Sequence, residues 1–68
     1  MEKLKLQGEY ITIQQFLKLM AYISSGGEAK YYLQNHKVYV NEELEQRRGR
    51  KLYPKDIISI NGKEYQME

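Results

Sequence analysis

Arg47-Arg48-Gly49-Arg50-Lys51-Leu52-Tyr53-Pro54-Lys55 gathers five of the chain's eleven lysines and arginines into nine residues without one carboxylate. Clustered guanidinium and ammonium groups suit a phosphate-rich partner, because each phosphate they neutralise releases condensed counterions. Arginine outnumbers lysine among them, and its planar fork can hold a phosphate through two parallel hydrogen bonds. The formal net charge of the 68 residues is only +2, so the run is a local patch and not a diffuse basic coat. A solvated loop is the competing reading of such a run.

Other chemistry is sparse. The sequence has one histidine, no cysteine and no nucleophile beside a base, and it predicts no catalytic centre. His36, next to Lys37 at a helix-to-strand corner, reads first as a loop or capping residue and second as a phosphate or base contact. Its acid–base chemistry has no partner in the sequence. Glu42, Glu43 and Glu45 have no His or Asp at ligand spacing, so no metal site or cofactor is expected. They read as a solvated acidic stretch that offsets the neighbouring arginines. Ser24-Ser25-Gly26-Gly27 superficially resembles a phosphate loop but lacks the Gly-Lys-Ser/Thr ending. Opening a helix with Ser25 or a glycine as its cap, it can still offer backbone N–H groups to a phosphate. Of seven tyrosines, Tyr32 and Tyr65 are assigned to the core. Tyr31, Tyr39 and Tyr53 are candidates for stacking on exposed bases or riboses.

These groups need a scaffold, and the period of the apolar residues supplies one. Leu4 and Leu6 alternate with Lys3, Lys5 and Gln7, which predicts a strand at about 3–7. Thr12 with Gln15 is a capping-box pattern, and Ile13, Phe16, Leu17 and Met20 recur at helical spacing, predicting a helix over about 13–21. Ser24 to Gly27 interrupts, and Ala29, Tyr32 and Leu33 form the buried face of a second short helix. Asn35-His36 is expected to close it in the left-handed conformation. From Val38 the period becomes two, with Val38 and Val40 on one face and Lys37 and Tyr39 on the other. Asn41-Glu42 and Pro54-Lys55-Asp56 read as turns. Asn61-Gly62 is a strong hairpin signal within a C-terminal hairpin at about 57–66, setting Ile58 opposite Tyr65 and Ile60 opposite Lys63. No internal repeat appears.

Sixty-eight residues suit a single domain over 1–68. Its core is small, worth roughly 3–5 kcal/mol of net stability. The absence of cysteine suits a reducing interior. The longest apolar stretch, Leu19 to Ile23, is too short to span a bilayer, and Met1 to Lys5 lacks the apolar core of a signal peptide. The expectation is a soluble cytoplasmic protein without membrane contact.

Ser-Gly-Gly-Glu-Ala-Lys at 25–30, Val38-Tyr39-Val40-Asn41, Arg47-Arg48-Gly49-Arg50-Lys51-Leu52 and Pro54-Lys55-Asp56 occur in a telling order. Together they resemble the RNA-binding domain first described in small-subunit ribosomal protein S-four. That family's alpha-L motif, two short helices followed by strand–turn–strand, covers about 11–60. The chain is most similar to short stand-alone bacterial members of the YaaA/YbcJ type. The resemblance implies an α+β fold with two short helices packed on a small, mainly antiparallel sheet. Leu19 and Gly26 stand where many members carry arginine, with Lys18 and Lys30 as nearby cations. Glu42 and Lys55 stand where glycine is usual, so both turns must form without it.

What the resemblance implies is a non-enzymatic module that recognises structured RNA, ribosomal RNA or a ribosome-assembly intermediate, by shape and backbone. The residues expected to bind are Lys18, Ser25, Lys30, Tyr31, Lys37, Arg47, Arg48, Arg50 and Lys51, with no small-molecule substrate. The four basic residues of the run are expected on an exposed loop that contributes little to stability. Two rivals are a helix-turn-helix DNA binder, for which Glu28, Lys30 and Gln34 are a poor base-reading set, and a protein-interaction module using the acidic segment or exposed tyrosines.

Overall fold

The computed structural model describes residues 1–68. Helix α1 spans Ile13–Leu19 and starts where Thr12 and Gln15 indicate. The Gln15 N–H donates to Thr12 Oγ1 at 3.2 Å, and the Thr12 N–H donates to Gln15 Oε1 at 2.9 Å. Its end comes two residues before the predicted one. Ala21 lies at φ +63°, and the Tyr22 and Ala21 N–H groups turn back to the carbonyls of Leu17 (2.8 Å) and Lys18 (3.1 Å). This is a Schellman cap, in which a left-handed residue satisfies the last free carbonyls. Alanine occupies the place usually given to glycine, so composition did not announce it.

The second helix begins as a 3₁₀ turn over Gly26–Glu28 and continues as α2, Ala29–Asn35. Glu28 Oε2 reaches back to the N–H groups of Ser24 (3.2 Å) and Ser25 (3.1 Å). The expected left-handed closure at Asn35-His36 does not occur. His36 is extended at φ −132°, ψ 140°, because it already leads into the strand at Val38.

Seven strands complete the fold. A five-stranded sheet runs in the order β1 (Glu2–Leu4), β7 (Lys63–Met67), β6 (Ile57–Ile60), β3 (Val38–Val40), β4 (Glu43–Leu44). All its pairings are antiparallel except β1 with β7. The regular part of β1 is shorter than its alternation suggests. The Glu68 N–H to Leu4 carbonyl (2.8 Å) and Leu6 N–H to Glu68 carbonyl (2.9 Å) bonds carry the ladder a little further. A separate ribbon pairs β2 (Ile11–Thr12) with β5 (Lys51–Leu52).

Hairpin registers follow from turn chemistry. Asn61 and Gly62 lie at φ +52° and +79°, the two left-handed positions that match the twist of a tight hairpin. Ile58 therefore faces Tyr65, and Ile60 faces Lys63. Asn41 and Glu42 adopt the same geometry, at φ +51° and +73°. In the Tyr53-Pro54-Lys55-Asp56 turn, Lys55 is at φ +79° and the Asp56 N–H donates to the Tyr53 carbonyl at 3.0 Å. Both turns form in left-handed geometry with Glu42 and Lys55 in place and without glycine.

One sheet face is apolar. Val38, Val40, Ile58, Ile60, Tyr65 and Met67 bury against Ile13, Phe16 and Leu17 of α1 and Ala29 and Leu33 of α2. Phe16 meets Tyr65 edge-on with ring centroids 5.2 Å apart, a favoured aromatic geometry. The fold is α+β, with two short helices on a mainly antiparallel sheet.

Candidate nucleic-acid interface

Glu45 organises the basic loop. It is the one buried charged residue, 6% exposed, and not the solvated acid its neighbours suggest. Its carboxylate accepts from the backbone N–H groups of Gln46 (3.1 Å) and Arg47 (3.0 Å). Arg47 grips it with Nε at 2.9 Å and Nη2 at 3.0 Å, and Arg50 Nη1 adds a bond at 3.1 Å. The Arg47 side-chain bonds hold the Glu45 carboxyl down at about 2, against the opposing effect of burial, with the Arg47 backbone and Arg50 assisting. The same pairing raises the Arg47 guanidinium above its ordinary value. A buried carboxylate needs such partners, since an unpaired charge there is strongly unfavourable.

The loop backbone faces inward. Arg47 to Arg50 form a turn closed by the Arg50 N–H on the Arg47 carbonyl at 3.2 Å. The carbonyls of Arg48 and Arg50 accept the N–H groups of Gln14 and Ile13, both at 2.9 Å. Together with Thr12 Oγ1 on the Gln15 N–H, these bonds satisfy the first three N–H groups of α1, which helices otherwise leave free. The loop thus caps the helix, while its side chains point elsewhere.

These bonds correct the picture of four free basic side chains. Arg50 is largely covered, its side chain 27% exposed. Arg47 remains 77% exposed despite its pairing, so its outer edge is open to a second anion. Lys51 Nζ sits 4.8 Å from the centre of the Tyr10 ring, within cation–π range, and Tyr10 in turn lies 5.9 Å from Tyr53. Arg48 is exposed and makes no side-chain bond.

The other residues singled out in the sequence surround this loop unequally. At Gly26 a Cβ would stand only 2.4 Å from Gln14 Nε2. The start of the second helix therefore abuts the residue held by the Arg48 carbonyl. Ser25 lies at that junction, but its N–H and hydroxyl are both engaged by Glu28, at 3.1 and 3.3 Å. Lys18, in the last turn of α1, and Lys30 and Tyr31, on α2, are exposed. Lys37 belongs to a different surface, a depression shared with Tyr39, Ser59, Asn61 and Gly62 beside the solvent face of the sheet. Tyr32 is half-buried and Tyr65 buried, as expected, whereas Tyr39 is half-buried and Tyr53 exposed.

Gln14 and Tyr10 escaped the sequence reading, and Glu45 was read as solvated when it is buried. The signal for Glu45 was its spacing, two and five residues before arginines. No group of three or more His, Cys, Asp or Glu residues is arranged to hold a metal ion, and no helix is long and apolar enough to cross a membrane.

A cationic loop pre-shaped by a buried acid and fastened to a helix start suits the recognition of phosphates by positioned charge. The architecture has known counterparts. The S4 domain family model matches residues 4–68. A Bacillus subtilis (strain 168) protein named "Probable ribosome maturation protein RlbA" is 51% identical over 59 residues, covering 87% of this chain and 83% of that protein. Two short helices on a mainly antiparallel sheet, the ordered motifs of the sequence and a match along almost its whole length place this chain in the S4 domain family.

Proposed function

We propose that this chain is a non-enzymatic, cytoplasmic RNA-binding protein of one domain that recognises structured RNA, the partner being ribosomal RNA or a ribosome-assembly intermediate. The observation that carries this reading is the Arg47–Lys51 loop, whose backbone is locked to α1 while Arg47, Arg48 and Lys51 present charge outward. Preorganised cations lose little freedom on meeting phosphates. Lys18, Ser25, Lys30 and Tyr31 extend the surface along the two helices, and Lys37 contributes from the flanking sheet face. Membership of the S4 domain family and the ribosome-maturation name of the Bacillus subtilis relative support a ribosomal destination.

Binding to a folded ribosomal RNA fragment, measured over a range of salt, tests the reading. With four or five phosphate contacts, log K against log salt should slope at about −3 to −4.5. Folded RNA should be preferred over duplex DNA of equal length by roughly tenfold at near-physiological salt, because A-form shape and 2′-hydroxyls differ from B-form DNA. A zero slope for every RNA tried would remove the electrostatic argument. Equal affinity for duplex DNA would favour the helix-turn-helix reading.

A further inference from the structure

Away from the arginine loop, Tyr22 joins Tyr31, Tyr32 and His36, on α2 and at its end, in an aromatic surface. Tyr32 and His36 stack with ring centroids 4.2 Å apart and planes within 20° of parallel. Tyr22 packs against Tyr32 at 5.9 Å and is anchored through its hydroxyl to Tyr65 at 2.6 Å. Tyr31 is 66% exposed, although it is among the larger aromatic side chains of the chain. These four rings, with Asn35, line an open depression of about 220 Å³. Asn35 spends one amide N–H on the Tyr31 carbonyl at 2.8 Å, which leaves its side-chain oxygen and second N–H free. Ile23 and Glu28 complete the lining, and the Glu28 carboxylate is held by the N–H groups of Ser24 and Ser25.

We propose that this depression is a docking site for one unpaired nucleobase of the bound RNA, stacked on Tyr31 and the Tyr32–His36 pair and edge-read by Asn35. The inference rests on the RNA-binding reading above and adds to it a contact that tells unpaired from paired nucleotides. Flat aromatic rings accept any base face, and single-stranded bases are the part of RNA available for stacking. The rings are held before a ligand arrives, His36 by Tyr32 and Tyr22 by Tyr65, so little ordering is left to binding. A partner's apolar side chain would leave the free Asn35 groups unused.

The test uses the whole protein and two RNA hairpins of the same sequence, one fully paired and one carrying 2-aminopurine as a single-nucleotide bulge. Wild type should bind the bulged hairpin more tightly and quench its fluorescence. Tyr31→Ala should weaken that binding roughly tenfold, in the range reported for loss of one stacked base. It should weaken binding of the paired hairpin much less, and leave the salt slope and the melting temperature unchanged. His36→Ala should act in the same direction, and Tyr31→Phe should behave as wild type, because stacking needs the ring and not the hydroxyl. Unchanged 2-aminopurine fluorescence at saturation, or equal binding of both hairpins by wild type and Tyr31→Ala, overturns the base site while leaving RNA binding intact. Failure of wild type to bind either hairpin at any salt overturns both readings together.

Discussion

Arg47 closes on Glu45 through two parallel bonds, Nε to Oε2 at 2.9 Å and Nη2 to Oε1 at 3.0 Å, although the acid is buried and the arginine is mostly in solvent. The pair joins the interior of the protein to its charged surface. Its consequences separate stability from binding.

Acid should loosen this junction. The Glu45 carboxyl is lowered from 4.5 to about 2 in the fold. Its contribution is therefore fully present above the unfolded value and is lost as pH falls from about 5 towards 2. The gain should be on the order of 2 kcal/mol, allowing for solvent screening of the exposed Arg47. Thermal melts of wild type and Glu45→Gln between pH 7 and 2 check this: the variant should start lower and lose less. RNA binding at pH 7 should also weaken in Glu45→Gln, even though the change makes the protein more positive. Tighter binding would show that charge alone, and not loop shape, sets affinity.

Arg48 and Arg50 should part company on substitution. Arg48→Ala removes an exposed side chain and should change stability by less than about 0.5 kcal/mol, while weakening RNA binding and flattening the salt slope by about 0.7 to 0.9. Arg50→Ala takes a partner from buried Glu45 and should cost about 1–3 kcal/mol. Chemical denaturation of the two variants decides the matter. Comparable stability for both would mean that the Arg50–Glu45 bond contributes nothing.

Adding a cation at Gly26 should strengthen binding. The three atoms nearest to a new Cβ there belong to the Gln14 side chain, whose amide makes no side-chain hydrogen bond and can swing aside. Gly26→Arg should raise RNA affinity several-fold and steepen the salt slope by about 0.7 to 0.9 if the new side chain meets one phosphate. A titration at three salt concentrations would reveal it. An unchanged slope would place position 26 outside the interface.

Ala21→Gly should stabilise the fold. The left-handed conformation costs a non-glycine residue about 1–2 kcal/mol, partly offset by the greater chain entropy that glycine loses. A net gain of about 0.5–1 kcal/mol is expected, visible as a higher melting temperature with RNA binding unchanged. A lower melting temperature would mean that the Ala21 methyl makes contacts worth more than the relief of strain.

Features set by neighbours in sequence were readable, and those set across the fold were not. The Thr12–Gln15 box and the Asn61-Gly62 turn involve residues at most three apart, and both form as expected. The alternation of Val38 to Val40 named its buried face correctly. Helix α1 was overextended because its stop lies in the backbone of Ala21, a residue type that favours helix. Glu45 looked solvated because its partners, one, two and five residues on, close over it only when the loop folds back. Its N–H donates to the Val38 carbonyl at 2.8 Å, and the loop that follows folds back on α1. The basic run was legible as charge, but not as a helix cap.

Because the Arg48 and Arg50 carbonyls, and not their side chains, hold α1, contour and charge in this loop are written in different parts of the chain. The contour comes from main-chain groups that every residue possesses. The charge comes from side chains that a single codon can exchange. At position 48, where no side-chain bond intervenes, the surface can drift from cationic to neutral or acidic without disturbing the helix start. An insertion or deletion between Glu45 and Arg50 has no such freedom, since it would shift both carbonyls out of register. The scaffold can thus be retuned towards new partners by point substitution, but it is closed to change in loop length.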